Sequence, residues 1–110
     1  MALKDMSVVT LDGETSDTTG EVVTLDNLRA SDVGIHVRTI DSGEVRFEGS
    51  IDGENWSLMQ VTNKVDGTTA TSTTASGYFV LDAAGLAAVR TPLGSHSTGS
   101  VTAVVLPQFD

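Results

Sequence analysis

The fold is decided by two neighbouring stretches: residues 33–40 read VGIHVRTI and residues 44–52 read EVRFEGSID. In the first stretch every second residue is apolar, namely Val33, Ile35 and Val37. Such alternation is typical of an antiparallel strand with one buried side and one solvent-facing side. The second stretch alternates likewise, and we expect the two to pair as a hairpin. Its expected inward residues are Val45, Phe47, Gly49 and Ile51, and its expected outward residues are Glu44, Arg46, Glu48 and Ser50.

Short apolar runs separated by turn signals continue on both sides of these stretches. Dipeptides such as Asp12-Gly13 and Asp52-Gly53 mark the turns. This pattern of short apolar runs and turns predicts an all-β fold, an antiparallel β-sandwich or jelly-roll-like barrel of about eight short strands. A single domain is expected over residues 7–110, preceded by a short N-terminal arm over residues 1–6. The uncharged segment Thr68–Ser76 reads as either an edge strand or a mobile loop, with the loop favoured, and Pro107 is expected to end the last strand.

Composition excludes several classes of function. The chain has 110 residues, no cysteine and a formal net charge of −9. Without cysteine there is no disulfide, thiolate zinc cluster or thiol nucleophile. An acidic balance disfavours nucleic acid and anionic membrane surfaces as partners, because both are bound mainly through Lys and Arg. No membrane span or signal peptide is read from the sequence, so we expect a protein made in soluble form in the host cytoplasm.

Few residues suggest catalysis or metal binding. The histidine bases are His36 and His96, and no nucleophile elbow accompanies them, so we expect no enzyme activity and no cofactor. Carboxylates cluster at 12–14 (DGE) and 52–55 (DGEN), but neither segment has the ligand pattern of an EF-hand loop. We interpret both segments as turns. Binding of a calcium ion shared between loops or subunits remains an alternative for these carboxylates.

Two kinds of surface residue are candidates for binding. Trp56 follows a turn and Tyr78 faces opposite to its neighbour Phe79, so the two could either pack at the rim of the core or form a sugar platform. Arg38 and Arg46 would stand on the charged outer face of the hairpin. Such a face is either solvated or a polar contact with another protein.

The strongest functional signal is a resemblance. Residues 45–56 read VRFEGSIDGENW, and the runs GYFVLDAAGLAAVR (77–90) and STGSVTAVVL (97–106) follow in order. This order resembles a small β-sandwich module of tailed-bacteriophage structural proteins, found in capsid decoration proteins and also in tail and fibre proteins. A chain consisting of one such module looks most like a decoration protein, also called a cement or staple protein.

The resemblance implies a non-enzymatic protein on the exterior of the virion capsid. Such a protein binds the assembled head, clamps neighbouring major capsid subunits and associates with itself as a dimer or trimer. The residues expected to bind partners are Met1, Ala2, Leu3, Lys4, Asp5, Arg38, Arg46 and Phe109. The alternative is a carbohydrate-binding module of a phage tail, a fibre or a bacterial surface protein, using Trp56 and Tyr78.

Overall fold

Thirteen short strands form the regular structure of the computed structural model, which describes residues 7–25 and 30–109. Within those residues there is no helix, and hence none long and apolar enough to span a membrane. The strands are β1 (Val8–Glu14), β2 (Val23–Thr24), β3 (Ala30–Ile40), β4 (Glu44–Arg46), β5 (Glu48–Ser50), β6 (Ser57–Leu58), β7 (Val61–Asn63), β8 (Thr69–Ala70), β9 (Ser72–Thr73), β10 (Gly77–Asp82), β11 (Ala88–Arg90), β12 (Leu93–Gly94) and β13 (Val101–Phe109). The predicted all-β antiparallel sandwich is confirmed, with thirteen strands in place of about eight.

One layer of the sandwich is a six-stranded antiparallel sheet in the order β1-β13-β3-β10-β7-β8. Its longest strands, β3 and β13, pair along most of their length, from Val101 opposite Ile40 to Phe109 opposite Ala30. β13 also pairs with β1, where Val8 lies opposite Val105. Most neighbours in this sheet are far apart in the chain, so the layer forms mainly through long-range contacts.

The other layer consists of two smaller sheets, β2-β11-β5-β6 and β12-β4-β9. The segments 44–50 and 88–94 each contribute one strand to both sheets. The strand pairing is interrupted at Phe47 in the first segment and at Thr91-Pro92 in the second. At this point Arg46 donates its backbone N–H to the Pro92 carbonyl at 3.0 Å. Stretches predicted as single strands are therefore divided, which raises the strand count.

The core lies between the two layers. The rings of Phe47 and Phe79 meet there with their centroids 5.0 Å apart. The hydroxyls of Thr10 and Thr91 also bridge the layers at 2.7 Å, and both residues are almost fully buried. The fully enclosed apolar residues include Leu11, Val33, Val37, Val45, Val61, Leu81, Val101, Ala103 and Val105.

Several local predictions are wrong. β3 and β4 do not pair as a hairpin, because β3 lies between β13 and β10 while β4 lies between β12 and β9. Ile51 is 76% exposed and Ser50 is buried, because the chain leaves the sheet after Ser50. The segment 68–76 contains the edge strands β8 and β9, so the edge-strand alternative is correct there and the favoured loop is wrong. Pro107 lies within β13, at a point beyond the end of the β1 pairing, where a missing N–H costs no ladder bond on that side.

Candidate functional site

The side of the six-stranded sheet that faces away from the core presents a row of side chains across four strands. Val104 lies opposite His36, and His36 lies opposite Tyr78. Lys64 follows β7 and donates its backbone N–H to the Tyr78 carbonyl at 2.8 Å, which continues the row. Residues directly opposite each other share a face of the sheet. We call this surface the outer face.

A second row on the outer face is centred on a glycine. Gly34 lies between Leu106 and Val80 and leaves a trough between their side chains. A methyl group at Gly34 would meet only the Leu106 carbonyl oxygen, at 3.7 Å, so the trough is open. It forms a shallow cavity of about 400 Å³. The lining residues are Ser7, Gly34, Ile35, His36, Arg38, Lys64, Tyr78, Phe79, Val80, Val104 and Leu106.

His36 and Tyr78 form a stacked aromatic pair on this face. Their ring centroids are 4.0 Å apart, with an interplanar angle of 15°, and Tyr78 is 54% exposed. Partial burial lowers the pKa of His36, and the positive charge of Arg38 lowers it further. The lowered pKa favours the neutral imidazole, and the stacked pair presents an aromatic surface to solvent.

The outer face is basic at one end and acidic at the other. Between the pairs Thr102–Thr39 and Ala103–Val37, β3 has one residue more than β13, and this extra residue is Arg38. A bulge of this kind changes the direction of a side chain, and here it leaves Arg38 exposed at the rim of the cavity. At the other end Asp32 lies opposite Asp82, and both are exposed.

The 50–55 turn carries an exposed apolar side chain on a well-ordered frame. The Ser50 hydroxyl accepts the backbone N–H of Gly53 at 2.8 Å and donates to the Asp52 carboxylate at 2.9 Å. Asp52 in turn accepts the backbone N–H groups of Glu54 and Asn55, each at 2.8 Å. These bonds, led by that from the Asn55 backbone, hold the pKa of Asp52 well below its usual range. The frame leaves Ile51 facing solvent.

The 63–67 turn is built in the same way. The side-chain oxygen of Asn63 accepts the Val65 N–H at 2.8 Å, and the Asn63 carbonyl accepts the Gly67 N–H at 2.8 Å. The Asp66 carboxylate accepts both the hydroxyl and the N–H of Thr68, which lowers the pKa of Asp66. Val65 at the tip is 79% exposed. Both turns thus hold a β-branched apolar side chain in water, which is unfavourable in the isolated molecule.

The predicted aromatic residues lie in different layers. Trp56 precedes β6 and is covered by the guanidinium of Arg90, 4.2 Å from the ring centroid, while Arg90 is held by Glu48 at 2.7 Å. Tyr78 belongs to the six-stranded sheet, where it contacts His36. The structure therefore does not bring Trp56 and Tyr78 together.

The two predicted arginines are also separate. Arg38 lies on the outer face, whereas Arg46 lies in β4 and forms an ion pair with Glu44 at 3.4 Å. Phe109 is the last residue of β13, and the predicted binding residues 1–5 lie outside the described residues, as does the arm over 1–6.

In the described part of the chain, no three His, Asp or Glu side chains gather in a way that could hold a metal ion. The Asp52 carboxylate is already engaged by its own turn, as described above. At the other candidate segment, Glu14 accepts the N–H of Asp12 at 3.4 Å, and Gly13 donates its N–H to the Thr102 hydroxyl at 3.0 Å. His96 is bound within its own loop, with its ring Nε2 2.9 Å from the Gly99 carbonyl.

Sequence reasoning missed several residues of the outer face, including Gly34, Lys64, Val80, Val104 and Leu106. One signal was available: residues 103–106 read AVVL, without the alternation that marks a strand with one wet side. Such a run indicates a strand with apolar residues on both faces, and here one of those faces is on the surface.

No protein-family model matches the sequence, and a search of the curated proteins finds no match. Among solved structures, the chain is similar to the SPBc2 prophage-derived protein YomS, with a TM-score of 0.79 and 21% identity over 93% of this chain and 91% of YomS. It is also similar to the PBSX exported protein XepA, with a TM-score of 0.84 and 20% identity over 92% of this chain and 36% of XepA. The chain thus corresponds to about a third of XepA. At these identities the likeness establishes a shared fold.

Proposed function

We propose that the chain is a non-enzymatic structural protein of a phage particle that binds the exterior of the assembled capsid and clamps neighbouring major capsid subunits. The observation that carries the proposal is the pair of turns with exposed apolar tips, Ile51 and Val65. Each tip is held in place by side-chain-to-backbone hydrogen bonds, so little conformational entropy is lost when it enters a pocket on another protein. Exposed apolar groups on an ordered frame are suited to protein contact and perform no chemistry.

Two further points support a phage particle as the setting. The sandwich fold is shared with phage-derived proteins, and the motifs at 45–56 and 77–90 resemble those of capsid decoration modules. A clamp works by multivalency, because weak contacts repeated across many subunit boundaries together resist opening of the shell. Residues 1–5 would add a further contact in this arrangement, so deleting them should weaken attachment and leave the fold intact.

The test is co-sedimentation of the purified protein with assembled heads that lack it. Wild-type protein should pellet with the heads, and Ile51→Ser and Val65→Ser should each weaken binding by about 10- to 150-fold, because burial of such a side chain contributes roughly 1.5–3 kcal/mol. Leu58→Ser, at an apolar residue that is 52% exposed in β6, is the matched control and should bind normally. Failure of the wild-type protein to pellet, or equal effects of all three variants, would overturn the proposal. A glycan array probed with wild type and Trp56→Ala tests the carbohydrate-binding alternative, which predicts binding that the variant loses.

A further inference from the structure

Two cations of the outer face lack an acidic partner among residues 7–25 and 30–109. The basic side chains in residues 7–25 and 30–109 are Arg38, Arg46, Lys64 and Arg90. Arg46 and Arg90 each form an ion pair with a glutamate, whereas Arg38 and Lys64 form none. Both unpaired cations line the cavity of the outer face, and none of the described residues that line it is acidic. In a chain of net charge −9, this end of the face is locally positive.

At the opposite end of the same face, two carboxylates lack cationic partners among the described residues. Asp32 and Asp82 are directly opposite each other on β3 and β10. Like charges in that arrangement destabilise a strand pair. Neither carboxylate has a cationic partner in the described part of the chain, and Asp82 accepts only the backbone N–H of Ala84, at 3.1 Å.

Between the charged ends the face is apolar. Val80 and Leu106 flank the trough at Gly34, and Val104 lies beside the stacked aromatic pair. An apolar centre with charges at its margins is the usual anatomy of a protein–protein contact.

We propose that the outer face binds the outer face of a second copy of this chain, related by a twofold axis near Ile35 with the two β3 strands antiparallel. The spacing along β3 supports this register, since Arg38 and Asp32 are each three residues from Ile35 (38 − 35 = 35 − 32). In that arrangement each Arg38 lies against the Asp32 of the other copy, and the apolar centres face each other. An acidic segment of another protein would match only the basic end, whereas a second copy matches both.

The size of the face predicts a modest affinity. Four strands at about 4.8 Å and seven residues at about 3.3 Å give a patch of roughly 19 by 23 Å. Two such patches cover on the order of 900 Å², which is at the low end for specific interfaces. We therefore expect a reversible dimer with a dissociation constant in the micromolar range.

Sedimentation velocity over a range of protein concentrations tests the proposal without any capsid, so its outcome is independent of the proposed function. The wild-type protein should show a concentration-dependent dimer. Arg38→Asp and Asp32→Arg should each raise the dissociation constant by about tenfold or more, because each places like charges together across the axis. The double variant Arg38→Asp/Asp32→Arg should restore dimerisation, because it exchanges the partners in both contacts.

Arg46→Asp is the matched control, since it makes the same charge change in the other layer and should dimerise as the wild type does. Circular dichroism checks that each variant is folded, which we expect because Asp32 and Arg38 are exposed. A wild type that stays monomeric to high concentration would overturn the proposal. A double variant no better than the single variants, or an Arg46→Asp variant as weak as Arg38→Asp, would overturn it as well.

Discussion

The buried hydroxyls of Thr10 and Thr91 predict an asymmetric pair of substitution effects. Thr10 donates to the Ala103 carbonyl at 3.3 Å, so the 2.7 Å contact between the hydroxyls is donated by Thr91. Thr91→Val removes that one bond and leaves Thr10 paired, at a cost of about 1 kcal/mol in the free energy of unfolding. Thr10→Val removes both bonds and leaves the Thr91 hydroxyl, 1% exposed, without an acceptor. Its expected cost is about 2–3 kcal/mol.

The double variant separates this explanation from a simple loss of packing. Replacing both hydroxyls with methyl groups leaves no unpaired donor, so the double variant should cost less than the sum of the single variants by about 1 kcal/mol. Urea unfolding followed by circular dichroism measures all four proteins, with an unchanged dependence on urea concentration expected. Thr62→Val, at an exposed position of the same sheet, is the control and should change the free energy by less than about 0.5 kcal/mol. Equal costs for the single variants, or strict additivity, would refute the reasoning.

Three further predictions concern single residues. Gly99→Ala should destabilise the fold by about 2 kcal/mol or more in urea unfolding, because Gly99 has φ +76 and a methyl group there would clash with Asp41. Asp52→Asn should flatten the acid-unfolding curve. Since the folded-state pKa of Asp52 is lowered, its stabilising effect is present at neutral pH and is lost as the pH falls below about 4. His36 should titrate below about 6.5 by NMR, so folding stability falls as the pH drops through that window, and Arg38→Gln should raise the pKa of His36.

Controls for these predictions are available on the same chain. Gly53 also has positive φ, at +78, but no atom lies within 4 Å of an added methyl group, so Gly53→Ala should cost less than Gly99→Ala. Glu54→Gln removes a carboxylate from the same turn but keeps the backbone N–H groups that bind Asp52, so it is the matched control and should not reproduce the effect of Asp52→Asn. An unaltered curve for Asp52→Asn, or a His36 pKa unaffected by Arg38→Gln, would contradict the corresponding explanation.

The fold class was predictable because alternation reports burial directly. Val33, Ile35 and Val37 alternate with polar residues, and the structure buries all three. Local pattern works here because β3 is long and has one side against the core.

The alternation pattern gave a wrong prediction of burial where local hydrogen bonds, and not hydrophobicity, determine the path of the backbone. Ile51 continues the apolar pattern of the preceding strand, yet the Ser50 and Asp52 side chains capture the backbone N–H groups that a longer strand would need. For Thr69–Ala70 and Ser72–Thr73 the error is the reverse, because the sequence favoured a loop where the structure has strands. They contain no large apolar residue but find strand partners in β7 and β4.

The outer face could be predicted only in part. Sequence reasoning predicts Arg38 as a partner-binding residue, but Lys64 is 26 positions further along the chain (64 − 38 = 26), and Val104 further still. They share a face only because β10 and β13 pair on either side of β3. Arg38 lies at the rim because it is the extra residue of the bulge opposite β13. The position of that bulge depends on the register between the two strands, which no local sequence pattern encodes.

The position of β13 has a consequence for how the protein is made. This strand is the last in the chain order, yet it supplies the pairing partners of both β1 and β3. A nascent chain still held at the ribosome before Val101 emerges leaves β1 without its strand partner and β3 paired only with β10, and it exposes much of the apolar core. Folding is therefore completed only after synthesis has passed β13, and a chain cut short before this strand is expected to aggregate or be degraded.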